Sequence, residues 1–404
     1  MKKRSTTPSL SHQRCRKLQK HAEITSNSMT SPPSSRSQFS PVVPTCRHRP
    51  TIRTNPSFSK IASAAPADTQ RNPRSYQATA MEVKLHTVRT LVGRLRGAAA
   101  AQDGAATAAA VAELRLVSKD DPEIRAPLAD AGAVPFLVAQ LATAASVDAA
   151  AALLNISISA REQLMSTPGL LDALTAALRT DAAHHTAATI HSLLCVEAYR
   201  ATIGAKRPLL AALVSLLRAA PSTRATKDAL KALFGVALYP PNRATLVGLG
   251  AVQELFALVM TDGRSGIIED VTAVIAQVAG CAETLEAFRL VSGVRILLDL
   301  VEPGGAATAR ARENAVAALL NLVVAGGEPA VTEVIAVGGA EDAVRELAED
   351  AAASPRGKAK AEALLRALEG AGARRPEHRL ADFLNGLVQS DPYISSPASA
   401  STHG

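Results

Sequence analysis

Residues 131–138 read AGAVPFLV, and residues 152–156, a short distance downstream, read ALLNI. In the first stretch a glycine permits a sharp turn, and Leu137, Val138 and Leu141 then lie on one face of a helix. In the second stretch a leucine pair, one variable residue and an aliphatic residue indicate another buried helix. We predict a unit made of a short first helix, a glycine turn, a second helix, a loop and a longer third helix.

The ALLNI pattern recurs along the chain at a nearly constant interval. Its variable residue falls in turn on Arg115, Asn155, Cys195, Gly235, Gln277, Asn321 and Arg366, at intervals of 40, 40, 40, 42, 44 and 45 residues. A period of forty-odd residues is typical of armadillo and HEAT arrays, whose units bury their apolar faces only by stacking on neighbours. The sequence therefore predicts an all-α, right-handed armadillo-type superhelical solenoid of about seven three-helix repeats.

A second marker has the same period. Apolar residues at positions i, i+1 and i+4 precede the third helices, as in Leu91-Val92-Leu95, Leu137-Val138-Leu141, Leu213-Val214-Leu217, Leu255-Phe256-Val259 and Ile296-Leu297-Leu300. Small-residue turns introduce many of these second helices, with glycines at positions 132, 169, 250, 293 and 339. Proline at 135 or 208 suits a first helical position, where its missing N–H is not needed.

The composition favours helices. Apolar residues make up 47% of the 404-residue chain, aromatic residues only 3%, and there is no tryptophan. Much of the apolar fraction is alanine, the best helix former. The most apolar stretch, residues 132–147, contains Pro135 and Gln140, so we predict no membrane span. Four cysteines far apart form no disulfide framework and fit a reducing compartment.

Charge and composition divide the chain into three parts. Residues 1–80 are rich in Ser, Pro and Arg, carry fourteen Lys and Arg against Glu23 and Asp68, and so have a net charge of +12, whereas the remainder is at −4. We predict a disordered basic leader over 1–80, the solenoid over 81–388 and a disordered tail over 389–404. The leader is interpreted as a transit peptide, a basic tail, or sequence upstream of a start at Met81. The expected location is cytoplasm or nucleus, or the plastid if the leader is a transit peptide.

The quoted stretches resemble armadillo repeats, and most of all the armadillo region of plant U-box proteins. Residues 313–322, ENAVAALLNL, support the resemblance, as do residues 355–365, PRGKAKAEALL, which are similar to the terminal repeat of that group. The resemblance covers about residues 87–370. It implies substrate-binding or adaptor capacity, with a protein or an extended peptide as the partner. We predict no small-molecule substrate, no cofactor, no nucleic acid and no membrane as partners.

The sequence departs from that family in the catalytic module. A U-box is rich in aromatic residues and usually includes tryptophan, whereas residues 1–80 contain only Phe39, Phe58 and Tyr76 as aromatics. We therefore predict a relative without a U-box: a protein-binding scaffold or adaptor, not an enzyme, with an implied link to ubiquitin signalling. The alternatives are a substrate-recognition part of a ubiquitin ligase and, as the less favoured, a nuclear transport receptor.

The resemblance also indicates which residues would face a partner. In armadillo grooves the third helices line the concave face, where an asparagine amide can both donate to and accept from a peptide backbone. The predicted groove row is mixed and polar with a basic middle: Arg115, Asn155, His191, Lys231, Gln277, Asn314 and Asn321. Asn155 and Asn321 are also compatible with a purely packing role. Importin-like receptors carry tryptophan one turn earlier, where this chain has Ala151, His191, Lys231, Ala273 and Ala317.

The remaining polar clusters point to no metal site and no catalytic residues. His184, His185, His191 and Cys195 lie on one predicted third helix, but a zinc ion needs three or four ligands at one place, and these residues are spread over several turns. We interpret them as polar groove residues. No phosphate-binding loop, zinc-protease motif or nucleophile elbow occurs. The acidic groups at 120–121 and 346–350 read as solvated charge.

Overall fold

The computed structural model describes residues 73–302 and 304–370, and within them every regular element is a helix. In chain order the helices are α1 (Pro73–Ala100), α2 (Gly104–Asp120), a 3-10 turn (Pro122–Ile124), α3 (Arg125–Asp130), α4 (Ala133–Gln140), α5 (Ser146–Ser157), α6 (Arg161–Met165), α7 (Leu170–Ala177), α8 (Ala183–Leu194), α9 (Glu197–Gly204), α10 (Arg207–Ala219), α11 (Thr223–Ala237), α12 (Pro241–Gly248), α13 (Ala251–Thr261), α14 (Ser265–Val278), α15 (Thr284–Leu290), α16 (Gly293–Val301), α17 (Ala309–Ala336), α18 (Ala340–Glu349) and α19 (Pro355–Gly370).

These helices follow the predicted order of short first, second and longer third helix. The third helices are α2, α5, α8, α11, α14, the first part of α17, and α19, and each contacts the next one along the chain. The fold prediction is confirmed. The first group consists of α1 and α2 alone among the described residues, so the count of about seven repeats stays a prediction.

Glycine turns introduce the second helices, as the sequence predicted. The residue before the helix is left-handed at Gly132, Gly169, Gly250 and Gly339, with φ between 75° and 86°. The turn predicted at Gly293 is wrong by one residue, because Ser292 takes the left-handed conformation and Gly293 is the first helical residue. A Cβ atom at 293 would lie 2.8 Å from the Phe256 ring. Gly293 is therefore explained by close packing, not by the turn.

One hydrophobic core runs through the array. Most leucines of the repeated pairs are buried in it, including Leu153, Leu193 and Leu320. Leu154 is an exception, since it is only partly buried and lies outside the core cluster. In α16 the buried residues include Leu297, Leu298 and Val301, so the predicted marker is displaced by one residue there.

Helix α17 joins a third helix to the first helix of the next group without a loop. The two parts meet at Gly327, whose φ of 60° and ψ of −147° are not helical, and Pro329 follows. By length and composition α17 could cross a membrane, and the bent pair α12–α13 passes the same test only across a 71° bend. Residues 132–147, the most apolar stretch by sequence, do not belong to either of these segments. Of the apolar window in α17, 56% is buried inside the array, as in the core helix of a solenoid.

The predicted boundaries are only partly covered by the described residues. Contacts divide the chain into residues 1–69 and residues 70–404, and α1 begins at Pro73, inside the predicted leader. The rest of the predicted leader, the predicted end of the array at 388 and the predicted tail at 389–404 lie outside the described residues.

Candidate partner-binding face

The predicted groove residues all lie on third helices, whose adjoining surface we call the third-helix face. Arg115 is on α2, Asn155 on α5, His191 on α8, Lys231 on α11, Gln277 on α14, and Asn314 and Asn321 on α17. Because consecutive third helices are in contact, the structure brings these residues together as a row. Their environments nevertheless differ, and the differences decide which of them a partner can reach.

The three asparagines bind the neighbouring third helix. Asn155 Nδ2 donates to the Arg115 carbonyl at 3.3 Å and to Ser118 Oγ at 3.1 Å. Asn314 Nδ2 donates to the Glu269 carbonyl at 3.1 Å and to Thr272 Oγ1 at 3.3 Å. Asn321 Nδ2 donates to the Ala276 carbonyl at 2.8 Å. A backbone clamp needs a free donor as well as an acceptor, and at Asn155 and Asn314 both amide hydrogens already serve inter-helix bonds.

Gln277 is not an accessible member of the row. Only 8% of it is exposed, and its Oε1 accepts a hydrogen bond of 3.4 Å from Arg243 Nη2. Arg243 also donates through Nη1 to the Gly280 carbonyl at 3.2 Å. The prediction that Gln277 faces a partner is therefore corrected: a long polar side chain at this position is turned inward to an arginine of a first helix.

Charged residues at both ends of the row form ion pairs within the array. Arg115 Nε lies 2.7 Å from Asp148 Oδ1, and Glu313 Oε1 lies 3.4 Å from both Arg356 Nε and Lys360 Nζ. Each of these pairs joins two neighbouring third helices. They connect adjacent units, and Arg115 has one carboxylate as its partner whereas Glu313 lies between two cations.

The middle of the face carries mixed charge. Lys231 Nζ lies 3.8 Å from Asp228 Oδ1 and its side chain is 47% exposed. Burial raises the pKa of the Asp228 carboxyl, although Lys231 and Arg224 act against it. Burial likewise raises the pKa of Asp270, against the effect of Lys227 and Lys231. The expected basic middle is thus balanced by two carboxyls that are costly to bury as charges.

Three histidines on α8 are less readily protonated than an ordinary histidine. Burial lowers the pKa of His185 to about 4, and His184, Arg224 and Arg115 contribute to the same shift. Burial also lowers the pKa of His184 and of His191, with further lowering by Arg224 and by Lys231 respectively. Neutral imidazoles make this part of the face less basic than the sequence indicates.

These histidines do not form a metal site. The rings of His184 and His185 lie 3.8 Å apart, and the Cys195 thiol donates to the His191 carbonyl at 3.4 Å. Among the described residues no group of three or more His, Cys, Asp and Glu side chains could hold a metal ion.

An apolar depression lies between α8, α11 and α14. Leu230, Phe234 and Ala273 line it together with His191, Lys231 and Asp270. His191 and Lys231 were predicted from the sequence as members of the row, whereas the other four were not predicted as site residues. The available signal was Ala273, a small residue one turn before the variable position, beside the large Phe234.

A second recurring feature, not predicted from the sequence, is an arginine of a first helix that binds the C-terminal end of the preceding third helix. Arg125, Arg200 and Arg243 donate through Nε to the carbonyls of Ser118, Leu194 and Ala237 at 2.8, 3.2 and 2.9 Å. These carbonyls belong to the last turns of α2, α8 and α11, where a helix runs out of its own donors. The signal was an arginine six or seven residues after each of them.

Comparisons with known proteins agree with this architecture. A family model described as the plant U-box protein ARM repeat region matches residues 88–370. U-box domain-containing protein 16 of Arabidopsis thaliana is 30% identical over 296 residues, which are 71% of this chain and 42% of that protein. U-box domain-containing protein 1 of Medicago truncatula is 36% identical over 141 residues, 35% of this chain and 19% of that protein. The chain spans less than half the length of these relatives.

A solved structure supports the fold independently of close sequence similarity. A chain from work described as "A conserved phosphorylation switch controls the interaction between cadherin and beta-catenin in vitro and in vivo" superposes with a TM-score of 0.59 at 17% identity. The match covers 79% of this chain and 63% of that one. Together with helices in armadillo order and a family match over most of the described residues, this means that the chain belongs to the plant U-box protein ARM repeat family.

Proposed function

We propose that this chain is a protein-binding scaffold or adaptor that holds an extended segment of its partner on the third-helix face. The observation that carries the proposal is the row of consecutive third helices with an accessible lysine and an apolar depression near its middle. An extended segment suits this face because it contacts several stacked units in succession.

The chemistry of the face favours polypeptide over nucleic acid as the partner. A phosphate backbone requires several unpaired cations in a line. Here Arg115 is paired with Asp148, and Asp228 lies beside Lys231. A polypeptide segment, which alternates apolar, polar and charged side chains, matches this mixed surface.

Site-specific photo-cross-linking tests the location of the binding face. A photoreactive residue is placed at Lys231 on α11 or, as the matched control, at Met260 on α13, which is 66% exposed. Once a pull-down has identified a partner, we expect cross-links to that partner from position 231 and few from position 260. Equal yields from both positions, or cross-links from 260 alone, would move the binding site away from the third-helix face.

A role as the substrate-recognition part of a ubiquitin ligase is the second candidate. It is supported by the U-box relatives, whose length this chain only partly covers. A ubiquitin-discharge assay with the full chain separates the two. We expect no discharge without an added ligase, and enhanced modification of the bound partner once a ligase is added would favour the second candidate. A nuclear transport role predicts tight binding of basic localisation peptides, which we do not expect.

We also propose a location in the cytoplasm or nucleus, with the plastid as the alternative if residues 1–80 act as a transit peptide. The plastid alternative is supported by the +12 charge of those residues and their Ser- and Arg-rich composition. Residues 1–80 fused to a fluorescent protein would test it in plant cells. Accumulation in chloroplasts would favour the transit peptide.

A further inference from the structure

We propose that the groove between α1 and α3 is a docking site for a short amphipathic helix of a partner protein, whose acidic side chains pair with Arg89 and Arg96. None of the residues that line this groove belongs to a third helix. The inference therefore goes beyond the proposed function and adds a second binding site at the N-terminal end of the array.

The groove follows one side of α1 and has a volume of about 440 Å³. Its lining comes from α1 and from α3 with the residue after it: Leu85, Val88, Arg89, Val92, Gly93, Arg96, Pro127, Asp130 and Ala131. The α1 residues recur every three or four positions and so share one face of the helix. Val88 and Val92 are almost fully buried, whereas Arg89, Gly93 and Arg96 are exposed. An apolar floor beside exposed charges suits the apolar face of an amphipathic helix.

The contacts within later groups show what packs at the corresponding position. The first helices α3, α9 and α12 each contact the second helix of their own group and the first helix of the next group. A first helix therefore covers the junction between these two neighbours. In the first group the corresponding neighbours are α1 and α3, and among the described residues no helix precedes α1. The groove thus lies where a first helix of that group would pack.

The charges of the groove determine which kind of helix it fits. Within the described part of the chain, Arg89 and Arg96 make no ion pair and no side-chain hydrogen bond, and the Arg96 guanidinium lies 5.9 Å from the centre of the Phe136 ring. Asp130, the acidic residue of the lining, accepts a hydrogen bond of 3.2 Å from Gln163 Nε2. Two exposed guanidinium groups therefore favour carboxylates on the docked helix.

The same charges favour a partner over the chain's own N-terminal segment. Residues 1–80 have a net charge of +12 and contain only Glu23 and Asp68 as acids. Arg89 and Arg96 are two turns apart, about 10 Å along α1. A docked helix with acids at i and i+7, and apolar residues at i+3 and i+4 between them, matches both guanidinium groups and the apolar floor. Helices α9 and α12, with 8 residues each, are long enough to contain this pattern.

The test uses the full chain to select from a phage-displayed library of randomised helical peptides. We expect enrichment of peptides with Asp or Glu at i and i+7 and with Leu, Ile, Val or Met at i+3 or i+4. Gly93→Leu places a side chain in the groove, at a helical position where nothing lies within 4 Å of the Cβ. It should weaken the best synthetic peptide by about tenfold or more.

Gly97→Leu is the matched control, because Gly97 lies one turn further along α1, also has nothing within 4 Å of its Cβ and does not line the groove. It should leave the affinity unchanged. Both changes raise helix propensity, so both variants should remain folded, which circular dichroism checks.

A charge reversal tests the proposed pairing. Arg89→Glu should weaken the selected peptide by about fivefold or more. Replacement of one acid of the peptide by lysine should restore binding to this variant, which also shows that the variant is folded. Selected peptides without acidic residues would contradict the role of the two arginines.

Three results would overturn the inference. Binding that is insensitive to both Gly93→Leu and Arg89→Glu would mean that the helix binds elsewhere. A dimer in analytical ultracentrifugation that Gly93→Leu abolishes would make a second copy of the chain the occupant. A library from which no helix is enriched would remove the partner helix, and it would leave the proposed function standing, because that function concerns an extended segment on the third-helix face.

Discussion

At the scale of single residues, an asparagine side-chain amide on a third helix can hydrogen-bond either to a partner or to the neighbouring repeat. In this array it hydrogen-bonds to the neighbouring repeat. Asn155, Asn314 and Asn321 each donate to the third helix before them. The sequence predicted their positions, because the repeat period places them on third helices. It could not predict their role, because the distance to a carbonyl 40 or 45 residues away depends on how closely two helices pack.

Asn321→Ala should destabilise the array by about 1–2 kcal/mol, because the buried carbonyl of Ala276 loses its side-chain donor. Lys231→Ala, an exposed change on the same face, should alter the free energy of unfolding by less than about 0.5 kcal/mol. Urea unfolding followed by circular dichroism measures both. Equal effects of the two changes would show that Asn321 is a surface residue in solution.

Leu320→Asp should destabilise by about 3–5 kcal/mol, since Leu320 is 2% exposed in the core. Leu154→Asp should cost clearly less, about 1–2 kcal/mol, because Leu154 is only partly buried. The repeat alignment places the two leucines at equivalent positions, whereas the structure buries only Leu320 fully. Thermal unfolding of both variants shows whether the loss of stability follows the alignment or the burial. Similar losses would mean that Leu154 is buried like Leu320.

At the scale of helices, the joints between third helices are of two kinds. Asparagine or an ion pair joins some of them, whereas at the contact of α8 with α11 the Leu194 side chain packs directly against the backbone of Gly235. The spacing of the markers was sufficient to predict that each helix exists. It could not predict which joints are tight, because that depends on the volume of both partners, such as Leu194 facing Gly235.

Gly235→Ala should destabilise by about 1–2 kcal/mol, because overpacking against Leu194 outweighs the gain in helix propensity. Gly93→Ala is the matched control: it is also helical, but nothing lies within 4 Å of its Cβ position. The control should stabilise by about 0.5–1 kcal/mol. Chemical denaturation of both variants tests the pair, and stabilisation at both sites would contradict the tight joint.

Helix α8 should make stability depend on pH. The pKa of His185 is lowered to about 4 from an ordinary value of 6.5, mainly by burial. Between these two pH values the unfolded chain binds more protons than the folded chain. The contribution of neutral His185 to the free energy of unfolding is therefore fully present above about pH 6.5 and is lost as the pH falls toward 4. His185→Gln should make this loss shallower, whereas His86→Gln, at an exposed site on α1, should not. An unchanged pH profile for His185→Gln would refute the assignment.

At the scale of the whole array, ion pairs between neighbouring helices determine how strongly the affinity of the third-helix face depends on salt. Because Arg115 and Glu313 already have partners, few counterions would be released when a peptide binds. Affinity for a partner peptide should therefore fall only modestly between low and physiological salt. Fluorescence anisotropy at increasing NaCl measures this, and a steep linear dependence of log K on log salt would indicate a polyanionic ligand.

Gly327 has a consequence for the gene as well as for the helix it interrupts. Gly327 is exposed to solvent, yet its φ of 60° and ψ of −147° belong to a region that essentially only glycine occupies. Every missense change in a glycine codon introduces a Cβ atom. Natural alleles should therefore be depleted of missense variants at this codon as strongly as at the codon for Leu320, although exposed positions usually accumulate them.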